Sequence, residues 1–145
     1  MKEIFVLRHA KSSWDNVNLS DHDRPLADRG IKDAAKLCVF VKNKGYMLDE
    51  VLCSTAKRAK ETFDLTADGF NFEIDKTTYT DKLYFGDAID LIKHLRELDE
   101  SLNNILIVGH NPTLHHLVEL LANEQIDRFT TCNLAVISHV GKWIT

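Results

Sequence analysis

Ile4-Phe5-Val6-Leu7-Arg8-His9-Ala10-Lys11-Ser12 is the stretch that decides how this chain is read. Four apolar residues, three of them strand formers, run into an arginine–histidine pair and then into a polar turn. A continuous apolar run of this length marks a strand buried on both faces of a parallel sheet. Here its carboxyl end delivers two side chains that can do chemistry. The pattern recurs twice. Val51-Leu52-Cys53 is a short strand-like run with Arg58 beyond it, and Ile105-Leu106-Ile107-Val108 is the strongest such run, with His110 beyond it.

The segments between these runs read as helices and loops. A polar loop from Ser12 to Leu26 follows the first strand. Ile31, Ala34, Ala35, Cys38 and Val41 then recur at helical spacing, with Gly45 as the stop signal. Ser54 or Thr55 can cap a second helix carrying Ala56, Ala59 and Phe63 and ending near Gly69. Phe72 and Ile74 alternate with polar neighbours and predict a third, edge-like strand. Ile89, Ile92, Leu95 and Leu98 form another helical stripe. Pro112 opens a helix whose inner face is Leu114, Leu117, Val118 and Leu121, and Leu134 to Ile137 reads as a last strand. Strands alternating with helices predict an α/β fold, with a mostly parallel central sheet between helical layers. Ligands of such sheets gather at the carboxyl ends of the strands, where Arg8, His9, Arg58 and His110 all fall.

The 145 residues suit one domain, 1–145, and the formal charge of −4 gives no electrostatic reason to expect nucleic acid. A locally basic pocket on a mildly acidic body is compatible with it. Cys38, Cys53 and Cys132 are odd in number and sit in apolar runs, which reads as three reduced core thiols of a cytoplasmic protein. No apolar stretch approaches the roughly 20 residues of a membrane span, and the N-terminus reads as a strand rather than a signal peptide. His115 and His116 point in different directions on a helix and read as surface residues. His22, His94 and His139 read as solvated or core-edge, and Trp14 as packing its loop onto the sheet.

Two histidines and two arginines at one sheet edge suit phosphoryl transfer. The group in transfer spreads negative charge over three equatorial oxygens, so catalysis is mostly positioning and charge stabilisation. An arginine fork can hold two oxygens at once. One neutral histidine can carry the phosphoryl group covalently, while a second hydrogen-bonds an equatorial oxygen. Gly109-His110-Asn111-Pro112 adds a helix N-terminus whose free N–H groups favour an anion. The scheme requires neither metal nor cofactor.

Leu7-Arg8-His9-Ala10-Lys11-Ser12-Ser13-Trp14-Asp15 resembles the signature of the histidine phosphatase superfamily, the phosphoglycerate-mutase-like proteins. Asp23-Arg24-Pro25-Leu26 with Arg29-Gly30, Cys53-Ser54 with Arg58-Ala59 and Thr62, and Val108-Gly109-His110-Asn111-Pro112 continue the likeness in order and spacing. The whole is most similar to the short SixA-type branch, the phosphohistidine phosphatases. That resemblance implies a three-layer α/β/α sandwich with His9 as nucleophile. It further implies Arg8 and Arg58 as phosphate clamps, His110 as the second pocket histidine, and Arg24 as a further phosphate contact. Ser12 and Asn111 are either hydrogen-bonding neighbours of the phosphate or local turn and cap residues.

Three departures from the family pattern matter. Ala10 stands where glycine is usual, which disfavours a positive φ there. Asp15 stands where many relatives have asparagine, so it must point away from the phosphate, be protonated, or pair with a cation such as Lys11. Mutase-like relatives place a glutamate general acid after the third strand, whereas Lys82-Leu83-Tyr84-Phe85-Gly86 has no carboxylate, only the flanking Asp81 and Asp87. The chain also lacks room for the long insertions that cover mutase pockets. An open, acid-poor pocket suits phosphohistidine on a partner protein. The alternatives are a phosphatase for small phosphate esters and a phosphate- or phosphoprotein-binding module without turnover.

Overall fold

The buried run at the N-terminus forms the inner part of a sheet. In the computed structural model, which describes residues 2–139, β1 (Lys2–Arg8) leads to α1 (Asp28–Lys44), β2 (Glu50–Ser54) and α2 (Lys57–Thr66). There follow β3 (Thr78–Thr80), α3 (Lys82–Phe85), α4 (Ala88–Arg96), β4 (Asn104–Gly109), α5 (Thr113–Ala122) and β5 (Leu134–His139). The five strands make one sheet in the order β3-β2-β4-β1-β5. Its first four members run parallel and β5 pairs antiparallel with β1.

Strand alternation sends Ile4, Val6, Leu52, Ile105 and Ile107 to one face, where they pack with Leu91 and Leu95 of α4 and Leu114 and Leu117 of α5. Phe5, Leu7, Val51, Cys53, Leu106 and Val108 go to the other face, against Val41 of α1 and Ala59 and Phe63 of α2. The result is the α/β/α layering that the resemblance implied, with β1 and β4 buried on both faces. Among the described residues all three cysteines are free thiols, and no helix is long and apolar enough to cross a membrane.

Several local expectations are corrected. The third strand is Thr78-Tyr79-Thr80, not Phe72 to Ile74. Ile74 instead opens a 3-10 turn over Ile74–Lys76, while Phe72 packs edge-on against Phe63. An edge strand with little burial needs no apolar residues, so its sequence carried no strand signal. α2 ends at Thr66 rather than near Gly69, and Ala56 precedes it with no side-chain cap. The inner face of α4 is Ala88, Leu91 and Leu95, and Ile89 is exposed. In α1, Ala34 and Val41 are buried, whereas Ile31 and Ala35 face solvent.

The loop from Ser12 to Leu26 is held rather than loose. Ser12 bridges Leu26, Ser13 N–H donates to Pro25 O at 2.8 Å, and Ala27 N–H donates to Lys11 O at 2.9 Å. Gly30 makes that closure possible. A Cβ at Gly30 would lie 2.1 Å from the Lys11 carbonyl oxygen, so only glycine lets α1 seat against the turn that follows His9. Gly30→Ala should therefore destabilise the protein by about 1–3 kcal/mol through overpacking, seen as a lowered Tm. An unchanged Tm would mean that the turn and the helix are not in contact.

Candidate active site

Strand register decides which side chains meet. β1 and β4 pair with Arg8 opposite Gly109, and the next residue's N–H, that of His9, donates to Gly109 O at 2.9 Å. His9 and His110 thus leave adjacent parallel strands at the same level, and their ring centroids lie 5.0 Å apart. β2 lies on the other side of β4 with Cys53 opposite Val108. One residue further on, Ser54 Oγ reaches His110 Nε2 at 2.7 Å. Arg58 enters from the first turn of α2. Arg8, His9, Lys11, Ser12, Trp14, Arg24, Arg58, His110, Asn111 and Thr131 together line a cleft of about 260 Å³. Four of them are cationic and none is a carboxylate, so a basic pocket does sit on this acidic body.

The backbone after His9 fixes its imidazole. Nδ1–H donates to the Ala10 carbonyl at 2.7 Å, which leaves Nε2 with the free lone pair. Ala10 is itself pinned, its N–H donating to Thr62 Oγ1 at 2.9 Å, and Thr62 Oγ1–H donates to Arg58 O at 2.7 Å. Ala10 is fully buried and keeps a negative φ, as its Cβ requires. Burial, reinforced by Arg58, Arg8 and Arg24, pushes His9 down to about 4 despite its bond to Ala10. Burial, His9 and Arg58 push His110 down to about 3. Both rings are neutral at neutral pH. Ser54 Oγ already accepts the Ala56 N–H, so the arrangement that uses every hydrogen sends its own proton to His110 Nε2 and puts the ring proton on Nδ1. His110 Nδ1 and Arg8 Nε are both buried and have no partner among the described residues. Buried nitrogens are rarely left so, and these two belong to side chains lining one cleft.

Arg24 is buried and heavily engaged. Its Nε donates to Ser13 O at 3.1 Å, Nη2 donates to Ser12 Oγ, and Nη1 pairs with Asp21 at 2.9 Å. Its guanidinium stacks on Trp14 with Cζ 3.2 Å from the ring centroid. Trp14 is therefore not the packing residue that its sequence position suggested, being 68% exposed. Asn111 is a cap: its side-chain nitrogen donates to Phe129 O at 2.6 Å and its oxygen accepts from His115 N–H. The expected anion-binding N–H groups of α5 are mostly used internally. Leu114 and His116 donate to His110 O and Pro112 O, and His115 to Asn111.

The acid candidates are placed away from the cleft lining. Asp15 is exposed and does not line the cleft. Asp81 accepts from Thr55 Oγ1, and Asp87 caps α4 through Asp90 N–H. His22, read as solvated, donates from Nε2 to Thr55 Oγ1 at 2.9 Å and meets Tyr84 edge-on. His94 is half-buried on α4, and the side chain of His139 lies outside the described residues. His115 Nε2 donates to Ile126 O, His116 is exposed, and no metal-ligating cluster occurs among the described residues. Asp21 and Tyr84 are members of the site that the sequence did not single out, and Ser54, read as a motif residue and candidate helix cap, bonds His110. The signal was available for Asp21, a carboxylate three residues before the motif arginine.

The family model of the histidine phosphatase superfamily (branch 1) matches residues 4–91. An uncharacterized protein of Mycobacterium leprae is 34% identical, the match covering 94% of this chain and 89% of that protein. Phosphohistidine phosphatase SixA of Escherichia coli is 26% identical over 94% of this chain and 84% of its own length. The structure of the protein histidine phosphatase SixA complexed with tungstate is similar with a TM-score of 0.85 at 26% identity, covering 94% of this chain and 87% of that one.

Depressed histidines carry a pH signature. The unfolded chain takes up protons on these rings near the ordinary 6.5, and the folded protein only near 4 and 3. Between those values the unfolded state binds more protons, so stability falls as pH falls through the window. NMR ring signals of His9 and His110 should keep the neutral form at pH 5.5. A midpoint near 6.5 for His9 would contradict the geometry.

Proposed function

The chain belongs to the histidine phosphatase superfamily, whose membership supports phosphatase activity, and we propose that it hydrolyses phosphohistidine on a partner protein through a phosphoryl group carried on His9. The observation that carries this reading is a locked, uncharged His9 beside two buried donors, Arg8 Nε and His110 Nδ1, that have no partner among the described residues. SixA, which this chain resembles in sequence and in fold, is a phosphohistidine phosphatase that has been solved with the oxyanion tungstate.

In the first step the Nε2 lone pair of His9 bonds to phosphorus as the P–N bond to the substrate ring breaks. The electron pair of that bond stays with the departing imidazole, which leaves neutral when its other nitrogen is protonated. Arg8, Arg58 and His110 hold the equatorial oxygens. In the second step water attacks phosphorus, His9 recovers its lone pair, and the water proton passes to solvent with release of orthophosphate. No carboxylic acid is needed. Asp21, the carboxylate bound to the clamp, is ionised, because the Tyr84 hydroxyl, Arg24 and Arg58 hold it far below the usual carboxylate range.

Enzyme quenched during turnover should hold acid-labile, base-stable phosphate, absent from His9→Ala. That variant should fold and have no measurable turnover. Retention of near-normal turnover would refute the nucleophile. Arg58→Ala should lose about 10²–10³-fold in rate, as expected for a lost charge-stabilising donor, and Arg58→Lys should recover only part. Equal rates for the lysine variant and wild type would remove Arg58 from the clamp. Phosphohistidine on a carrier protein should be hydrolysed far faster than an alkyl phosphate, whose oxygen leaving group needs a proton. The opposite order would favour a small-ester phosphatase.

A further inference from the structure

Asp21 contacts Arg24, Arg58 and Tyr84 at once. Its Oδ1 pairs with Arg24 Nη1 at 2.9 Å, and its Oδ2 with Arg58 Nη2 at 3.0 Å. The same Oδ2 accepts the Tyr84 hydroxyl at 2.6 Å, and the Asp21 main-chain oxygen accepts from Arg58 Nη1 at 2.6 Å. Tyr84 in turn sets its ring edge-on to His110, with centroids 5.4 Å apart, and lies 5.9 Å from the Arg58 guanidinium carbon. Asp21 thus joins three elements: the 3-10 turn Asp21–Asp23, the first turn of α2, and α3.

We propose that Asp21 is the positioning residue of the phosphate clamp, fixing the planes of Arg58 and Arg24 and, through Tyr84, the wall beside His110. This rests on the phosphatase reading of the cleft. A guanidinium has five N–H donors, and Asp21 engages one hydrogen on each terminal nitrogen of Arg58. A further donor is within reach of the Tyr84 hydroxyl, and those left over remain for a phosphoryl group. A long side chain anchored at two points cannot swing, so those donors are oriented before the substrate arrives. Arg24 acts as the buttress of this arrangement. Three of its nitrogens are spent on Asp21, Ser12 and Ser13, and its face lies on Trp14. The carboxylate has an electrostatic cost as well: it stands as an anion beside a site for anions. Positioning and anion affinity are therefore opposed at this one residue, and substitution separates them.

Two substitutions divide charge from geometry. Asp21→Asn keeps the shape and removes the charge. Asp21→Glu keeps the charge and displaces the carboxylate by one methylene. Both should lower kcat by about 10²-fold, the scale of a misplacement near 1 Å. Binding of inorganic phosphate, measured by calorimetry, should tighten in Asp21→Asn and stay near wild type in Asp21→Glu. Tyr84→Phe should move kcat in the same direction by less, and it serves if Asp21→Asn does not fold. The Arg58 Nε–H signal in NMR provides a readout independent of turnover. It should be sharp in wild type, shift on addition of phosphate, and broaden in both Asp21 variants. If wild type hydrolyses no phosphohistidine, the substrate reading fails while the Arg58 signal still decides the role of Asp21. An unbroadened Arg58 signal in both variants, or Asp21→Glu with wild-type kcat, would overturn the proposal. Parallel loss of kcat and phosphate binding in Asp21→Asn would also overturn it, because a fold defect lowers both.

Discussion

Parallel pairing of β1 with β4 is the constraint on which the cleft depends. Side chains alternate along a strand, so a slip of one residue in this register would send His110 to the opposite face of the sheet from its present level beside His9. The register is protected by what lies beneath it. Ile4, Phe5, Val6 and Leu7 of β1 and Ile105 to Val108 of β4 are all buried, on both faces. Slipping the pair would misplace two cores at once. The chemistry at the sheet edge is thus aligned by the apolar packing directly below it.

Charge is the second constraint. Arg8, Lys11, Arg24 and Arg58 line one cleft, and like charges at such spacing repel. Main-chain carbonyls absorb part of the cost: Phe129 O accepts from Arg8, Ser13 O from Arg24 and Asp21 O from Arg58. One carboxylate, Asp21, answers two of the guanidiniums. Burial, with the remaining positive potential in support, depresses His9 and His110, and on the proposed reaction this is useful, since a protonated imidazole has no lone pair with which to attack. On the proposed reaction an incoming phosphoryl group supplies the missing negative charge and the missing acceptors together.

Much of this was legible in the chain, and the parts that were not share a cause. β1, β2 and β4 announced themselves because burial demands apolar runs, and β5, itself at an edge, because Leu134, Ala135 and Ile137 still pack against the cores. β3 did not, since an edge strand with exposed side chains is under no such demand. The motif residues Arg8, His9, Arg58 and His110 could be placed at one sheet edge because each follows a readable strand. Asp21 carried a local signal, three residues before Arg24, but its contact with Arg58 spans 37 residues, and Tyr84 was silent because its contact with Asp21 spans 63, which no local pattern encodes. Trp14 misled for a related reason. A tryptophan is usually buried, but here it serves as a flat surface for an arginine and stays open to solvent.

The same electrostatics bear on the missing general acid. A carboxyl group near Arg8, Arg24 and Arg58 is stabilised in its charged form, so an acid introduced into this cleft would be ionised unless it were strongly desolvated. Asp21 illustrates the point: it lies close to the reacting region, is half exposed, and is held far below the ordinary carboxylate range. Its neighbour Tyr84 is shifted the other way, since its hydroxyl is committed to Asp21 and that carboxylate disfavours a second negative charge. Neither group is matched to donating a proton near neutrality. On the proposed reaction, a pocket that keeps its nucleophile uncharged by burying it among arginines gives up proton donation to the leaving group. It therefore requires a leaving group that departs without that help, and among phosphorylated side chains an imidazole meets the requirement where an alkoxide does not.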